Sequence, residues 1–71
     1  MESVYDLYQR GCELLDHGDH QAAIVALSKA RDLEPDKDSI REALGRAMFH
    51  ARRYQGAAAE FQAVVARAPT A

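Results

Sequence analysis

Apolar residues recur every three or four positions in four blocks of the chain, and short polar or helix-breaking joints separate the blocks. Because this spacing places the apolar side chains on one face of a helix, it predicts four amphipathic α-helices. No stretch alternates between apolar and polar residues, so no β-sheet is expected. The first two predicted apolar faces comprise Val4, Leu7, Gly11, Leu14 and Leu15, then Ala22, Ala23, Ile24, Ala26, Leu27 and Ala30. The last two comprise Ala43, Leu44, Ala47, Met48 and Ala51, then Ala57, Ala58, Phe61, Val64 and Val65.

The boundary between the first two blocks carries clear start and stop signals for helices. Ser3 is placed to cap the first helix, and Asp6 lies in its first turn. Gly18 can take the left-handed conformation that ends a helix. Asp19 then stands where it can cap the second helix. We therefore expect a tight turn between two helices here.

The later joints carry different signals. Pro35 ends the second helix, because its ring disfavours helical geometry at the residue before it. Ser39 with Glu42 predicts a capping box at the start of the third helix. The last joint, at Arg52 and Arg53, lacks a glycine, so we expect this turn to be less well capped. A fusion of the third and fourth helices into one long helix is an open alternative.

The two halves of the chain repeat with a period of 34 residues. Shifting the sequence by 34 positions superimposes Gly11 on Gly45, Gln21 on Gln55, Ala23 on Ala57 and Pro35 on Pro69. Each unit contains two predicted helices, and the fourth helix, expected over about residues 54–68, ends just before the second proline. A period of this length with two helices per unit is typical of one class of helical repeat.

The chain resembles the tetratricopeptide repeat family over nearly its whole length. Family signature positions hold Gly11, Leu14, Ala23, Leu27, Ala30 and Pro35 in the first copy, and Leu44, Gly45, Tyr54, Ala57, Phe61 and Pro69 in the second. The resemblance implies an all-α fold, in which four helices form antiparallel hairpins stacked as a short right-handed α-solenoid. It divides a single domain, residues 1–71, into repeat 1 at about 3–36 and repeat 2 at about 37–70.

The spacing of small and large residues fits such hairpins. Gly11 and Gly45 are expected to let the two helices of each hairpin approach closely. The large side chains of Leu27 and Phe61 would then fill the space beside the crossing. Leu7 and Arg41 depart from the family pattern, because they stand where the family often has tryptophan.

In the family, the first helices of the repeats line a concave groove that binds extended peptides or single helices. The positions carried across are Tyr5, Tyr8, Gln9 and Cys12 in the first repeat, and Glu42, Ala43, Arg46, Phe49 and His50 in the second. Tyrosine, phenylalanine and arginine are enriched in protein interfaces. Packing of Tyr8 and Phe49 between helices is an equally weighted alternative. The subtype that grips a C-terminal carboxylate with lysine and asparagine is not indicated, because the chain has no asparagine.

Chain length and charge say less about the function than the repeat does. A chain of 71 residues supports one small domain of marginal stability. The net charge is −2, but residues 1–42 carry −5 and residues 43–71 carry +3. Such a bipolar chain can attract copies of itself end to end, within the screening length of the solvent.

Other functions are poorly supported. His17 and His20 invite a zinc interpretation, but they straddle the Gly18 turn without an obvious third ligand. Cys12 and His50 lack the further groups that a nucleophile and its base require. The arginines of the second half have no interleaved aromatic ladder for nucleic acid. We therefore expect no enzyme activity, no metal or other cofactor, and no nucleic-acid partner.

The expected compartment is the cytoplasm. No apolar run approaches the roughly 20 residues that cross a membrane, and the N-terminus lacks the pattern of a signal peptide. The single cysteine excludes an internal disulfide. Abundant alanine and arginine with only two lysines point to a GC-rich bacterial gene.

The last predicted helix raises the question of what covers it. Terminal repeats normally need a polar capping helix, and three repeats are the usual minimum for stability. The face expected to lack a neighbour carries Tyr54, Ala58, Phe61 and Val65. The leading hypothesis is an adaptor or scaffold that binds a protein or peptide in the groove and forms homo-oligomers through this face. A purely structural self-assembly unit, or a piece of a longer array, is the alternative.

Overall fold

The computed structural model describes residues 2–67, and this part of the chain contains four α-helices and no β-strand. The helices are α1 (Val4–Asp16), α2 (His20–Leu33), α3 (Asp38–His50) and α4 (Tyr54–Arg67). Short turns join them, so consecutive helices form antiparallel hairpins. The predicted all-α class and its four helices are confirmed. The predicted end of the fourth helix, at Ala68 and before Pro69, lies outside the described residues.

Each helix packs on the next one along the chain, and α1 also touches α3. The core lies between α2 and α3, where Leu27 and Leu44 are the largest fully buried side chains. A smaller cluster of Leu7, Ala30 and Ile40 joins α1 to α2 and α3. Burying a leucine or isoleucine side chain contributes about 2 kcal/mol, so these contacts fix how the hairpins stack.

The two glycines predicted at the helix crossings lie in close contact. A Cβ atom on Gly11 would stand 2.5 Å from Cγ of Leu27, and one on Gly45 would stand 2.7 Å from Cε1 of Phe61. Real Cβ atoms do not approach other carbons so closely. The expectation that glycine allows each hairpin to close around a large side chain is confirmed.

The predicted cap of α1 is present. The amide of Asp6 donates to Oγ of Ser3 at 3.1 Å, and the amide of Ser3 donates to Oδ2 of Asp6 at 3.4 Å. Gly18 takes the predicted left-handed conformation, with φ of 81°. Asp19 stands at the N-cap of α2, but its side chain makes no capping hydrogen bond.

The capping box predicted at Ser39 is wrong. Helix α3 begins one residue earlier, at Asp38, and Lys37 occupies the cap position without a side-chain bond. The amides of Ile40 and Arg41 donate to the carbonyl of Lys37 at 3.2 and 3.3 Å, which makes Lys37 the cap. Arg67 of α4 contacts the joint before α3. Its Nη1 and Nη2 donate to Oδ1 and the carbonyl of Asp36, both at 2.7 Å. Its Nε lies 3.1 Å from Oδ1 of Asp38, but the two are not aligned for a hydrogen bond.

The turn between α3 and α4 corrects the expectation of a poorly capped joint. Arg52 takes a left-handed conformation with φ of 65°, as Gly18 does in the first hairpin. The amide of Arg53 donates to the carbonyl of Met48 at 2.7 Å, and its counterpart, Asp19, donates to Leu14 at 2.8 Å. The same hydrogen-bonded turn therefore closes both hairpins, and α3 and α4 are not fused.

The bipolar charge seen along the sequence is partly cancelled in space. Arg67 binds the acidic joint of the first half through Asp36, and Arg53 donates to Oε1 of Gln21 at 2.9 Å. These contacts turn two positive side chains of the last helix and its preceding turn back towards the first hairpin.

Candidate functional site

Helices α1 and α3 lie side by side and form a groove with two neighbouring clefts, here called the α1–α3 groove. The first cleft, of about 280 Å³, is lined by Val4, Tyr5, Tyr8, Glu34, Lys37, Ser39 and Ile40. The second, of about 360 Å³, is lined by Tyr8, Ser39, Glu42, Ala43, Arg46 and Phe61. Tyr8 and Ser39 border both clefts, so the groove is continuous across them.

Tyr8 is the central side chain of the groove. It is half-buried, and it packs against both clusters of the core. Burial raises the pKa of Tyr8, and the hydrogen bond with the Cys12 side chain raises it further. The positive charge of Arg46 acts in the opposite direction. The phenol is therefore neutral at physiological pH and keeps a proton to donate.

Three of the other predicted groove residues lie around this phenol. Cys12 lies one turn along α1 from Tyr8, and Glu42 and Arg46 approach from α3. Glu42 and Arg46 are four residues apart on one exposed face of α3. This part of the groove thus offers a hydroxyl, a carboxylate and a guanidinium beside apolar carbon. Such a mixture suits hydrogen bonding to a peptide backbone and its side chains.

The other predicted groove residues are distributed differently. Tyr5 lines the first cleft and is 65% exposed. Gln9 is exposed on α1. Phe49 and His50 lie at the end of α3 in a separate ring cluster. The Phe49 ring makes edge contacts with His50 at 5.9 Å and Tyr54 at 5.4 Å between ring centroids.

This ring cluster also contains His20, whose ring stacks on that of His50 at 5.1 Å. His17 makes a different contact, in which its Nδ1 donates to the carbonyl of Glu13 at 2.7 Å. Among residues 2–67, no three histidine, cysteine, aspartate or glutamate side chains converge as metal ligands. Within the same range no helix is both long and apolar enough to cross a bilayer.

The face predicted for self-association lies on α4, and its four residues differ in how far they are exposed. Val65 is 71% exposed and Tyr54 is 56% exposed. Ala58 is also exposed. Phe61 is 36% exposed, because part of its ring packs on Gly45 and lines the second cleft. Phe61 therefore belongs to both the α4 face and the groove.

A buried ion cluster was missed by the sequence reasoning. Glu60 of α4 is only 6% exposed. Its carboxylate accepts from Nη1 of Arg31 at 2.6 Å and from Nη1 of Arg41 at 2.9 Å. Although burial lowers the pKa of Arg31, hydrogen bonds to Glu60 and Asp32 raise it overall, so Arg31 stays charged. The cluster joins α2, α3 and α4.

The repeat register contained a signal for this cluster. Glu60 and Arg41 stand 34 positions after Ala26 and Leu7, which are both buried. A charged residue at each of two positions that bury apolar carbon in the first repeat indicates a buried pair. Arg41, which stands where the family often has tryptophan, uses its guanidinium to bind Glu60.

The fold and the groove define a helical-repeat protein of the α-solenoid class. The sequence profile of the tetratricopeptide repeat matches residues 8–71, and the chain belongs to that family. Its members generally mediate protein–protein interactions and are generally not enzymes. No curated protein and no solved structure matches the chain significantly.

Proposed function

We propose that the α1–α3 groove binds a segment of another protein, as an extended peptide or a single helix, and that the chain is a non-catalytic adaptor or scaffold. The observation that supports this most directly is the continuity of the two clefts across Tyr8 and Ser39. The first cleft is mainly apolar and suits an apolar side chain, with Tyr5 and Ile40 as its walls. The second carries polar groups that fix orientation.

Substitutions in the groove test this proposal. Arg46→Glu reverses an exposed charge of the second cleft, and Tyr8→Phe removes only the hydroxyl. We expect Arg46→Glu to lower the affinity for selected peptides by at least about tenfold, because loss of an interface hot spot costs about 2 kcal/mol. Tyr8→Phe should have a smaller effect in the same direction. Peptides selected from a displayed library on the unaltered chain would be measured by calorimetry against each variant.

The matched control is Lys29→Glu, which makes the same charge reversal at an exposed position of α2, outside the groove. Its affinity should equal that of the unaltered chain. Circular dichroism should show that all three variants remain folded. Equal binding by Arg46→Glu and Lys29→Glu would contradict a role for the groove.

We propose in addition that copies of the chain associate through the outer face of α4, formed by Tyr54, Ala58, Phe61 and Val65. Val65 supports this proposal, because its side chain is 71% exposed and its burial against a partner would favour association. Val65→Glu is expected to shift the chain to a monomer, with unchanged helix content. Sedimentation equilibrium over a range of concentrations provides the measurement.

Val65 is a better probe than Phe61, because Phe61 also packs on Gly45 and its loss would disturb the hairpin itself. The control is Val25→Glu, because Val25 lies on α2 and is also largely exposed, at 57%. This variant should associate like the unaltered chain. If the unaltered chain is a monomer at every concentration, association through α4 does not occur.

A further inference from the structure

The outer face of α4 carries no charge along most of its length. Between Tyr54 and Ala66 the only charged residue is Glu60, and its carboxylate is buried against two arginines. A helix face that stays in water usually carries charged residues. The exposed residues of this stretch are instead alanine, glutamine, phenylalanine, valine and tyrosine. This composition is typical of a face that packs on another helix.

Comparison at the 34-residue spacing shows what kind of contact the face is built for. On α2, Ile24 and Leu27 are buried in the core cluster that α3 completes. Their counterparts on α4 are Ala58 and Phe61, which are exposed or only partly covered. The face of α4 is therefore equivalent to a surface that already binds a helix in the first repeat.

The opposite end of the stack does not offer a matching surface. The residues of α3 that meet α2 include Ala43, Leu44 and Ala47. The positions 34 residues earlier, on α1, hold Gln9, Arg10 and Glu13, and all three are exposed. Stacking copies head to tail would press these polar groups against Phe61 and Val65. Arg10 is ion-paired with Glu2, but that pair is exposed, and removing it and Glu13 from water against apolar carbon is unfavourable, so α1 does not fit the α4 face.

Two α4 faces fit each other better. Contact between the two faces buries the apolar side chains of Ala58, Phe61 and Val65. None of these three residues is ionised, so their burial carries no cost of removing a charge from water. Alanines also allow two helices to approach to about 8 Å between axes. Arg67, at the end of α4, is ion-paired with Asp36 and so adds little charge repulsion between the two copies.

We infer that two copies pair through their α4 helices about a two-fold axis, and that this contact closes the assembly at a dimer. The inference rests on the proposed association through α4 and specifies its geometry. A two-fold contact uses the same surface on both copies, so it leaves no α4 face exposed for a third. The dimer carries two α1–α3 grooves in one particle and would bind a partner with two copies of a motif more tightly than one with a single copy.

Cross-linking of single cysteines tests this geometry. In a Cys12→Ser background, Ala58→Cys places one thiol near the middle of the outer face, where two-fold pairing brings it close to the same thiol of its partner. Ala59→Cys is the matched control: an exposed alanine on the same helix, one residue further and about 100° around it. A short bismaleimide should convert most of the Ala58→Cys protein to a covalent dimer on a denaturing gel. The Ala59→Cys protein should give at least about fivefold less.

Other outcomes overturn the inference in distinguishable ways. Equal cross-linking of Ala58→Cys and Ala59→Cys would show that the face does not pair specifically. Head-to-tail stacking would cross-link Ala58→Cys only when mixed with Arg10→Cys, and sedimentation would show species larger than a dimer. Either result refutes the two-fold geometry while the chain still associates. A monomer at every concentration would refute association through α4 altogether, and peptide binding by the groove is measured separately from all of these.

Discussion

Replacement of Glu60 by alanine is expected to lower the free energy of unfolding by about 3 kcal/mol. The carboxylate is buried and accepts hydrogen bonds from Arg31 and Arg41 at 2.6 and 2.9 Å. Without it, two guanidinium groups remain close together in a partly buried place with no carboxylate between them. A chain of this size has a total stability on the order of 5 kcal/mol, so the variant should be near the limit of folding. Urea unfolding followed by circular dichroism gives the measurement.

The control for this substitution is Glu13→Ala, which removes an exposed carboxylate from α1. Surface changes of this kind usually alter stability by less than about 0.5 kcal/mol. Glu60→Gln should fall between the two, because it keeps the shape of the side chain and loses the charge. If Glu60→Ala and Glu13→Ala unfold at the same urea concentration, the buried cluster does not contribute to stability.

Gly11→Ala is expected to destabilise the chain by about 2 kcal/mol, whereas Gly45→Ala should change its stability by less than about 1 kcal/mol. Both substitutions gain helix propensity, and both place a methyl group within 3 Å of a large side chain. The neighbours differ in their freedom to move. Leu27, beside Gly11, is completely buried, while Phe61, beside Gly45, is 36% exposed and its ring can turn outwards.

Thermal and urea unfolding of the two variants side by side provides the test, since the same substitution is made at corresponding positions of the two hairpins. Gly56→Ala serves as a control on α4, where the new methyl group would meet only the flexible side chain of Met48 at 3.0 Å. Equal losses at Gly11 and Gly45 would show that Phe61 is held as firmly as Leu27.

Most of the fold could be predicted from the sequence, because it depends on local and periodic signals. The spacing of apolar residues located the four helices, and the 34-residue period paired them into hairpins. The glycine contacts followed from the pairing of small residues with large ones, as at Gly11 and Leu27. The Ser3 cap followed from chemistry within one helical turn.

The features that the sequence did not predict depend on contacts between distant parts of the chain. The buried Glu60 carboxylate is paired with arginines from two other helices, and a helix-by-helix interpretation does not bring them together. Arg52 takes a conformation that favours glycine, because the hydrogen bonds of the turn outweigh the local steric cost. Arg67 of α4 binds Asp36 in the joint before α3, a contact 31 residues apart that no local pattern indicates.

The groove was predicted in part, for a related reason. Register along α1 and α3 places Tyr8, Cys12, Glu42 and Arg46 on a common surface, and the structure brings these four together. Register does not determine the direction of a side chain near the end of a helix. Phe49 therefore turns to the ring of Tyr54, which begins the next helix. Its share in the groove remains a prediction.

The bond between Arg31 and Glu60 has a consequence for how the chain unfolds. In a simple helical array each element contacts only its neighbours, so the last helix can detach at low cost and the array melts from its ends. Here α4 is tied to α2 as well as to α3, its neighbour. Detachment of α4 would remove the Glu60 carboxylate from both Arg31 and Arg41, although Arg31 would still pair with Asp32. The buried ion cluster therefore favours unfolding in a single cooperative transition. The amide hydrogens of α4 should then exchange almost as slowly as those of the core.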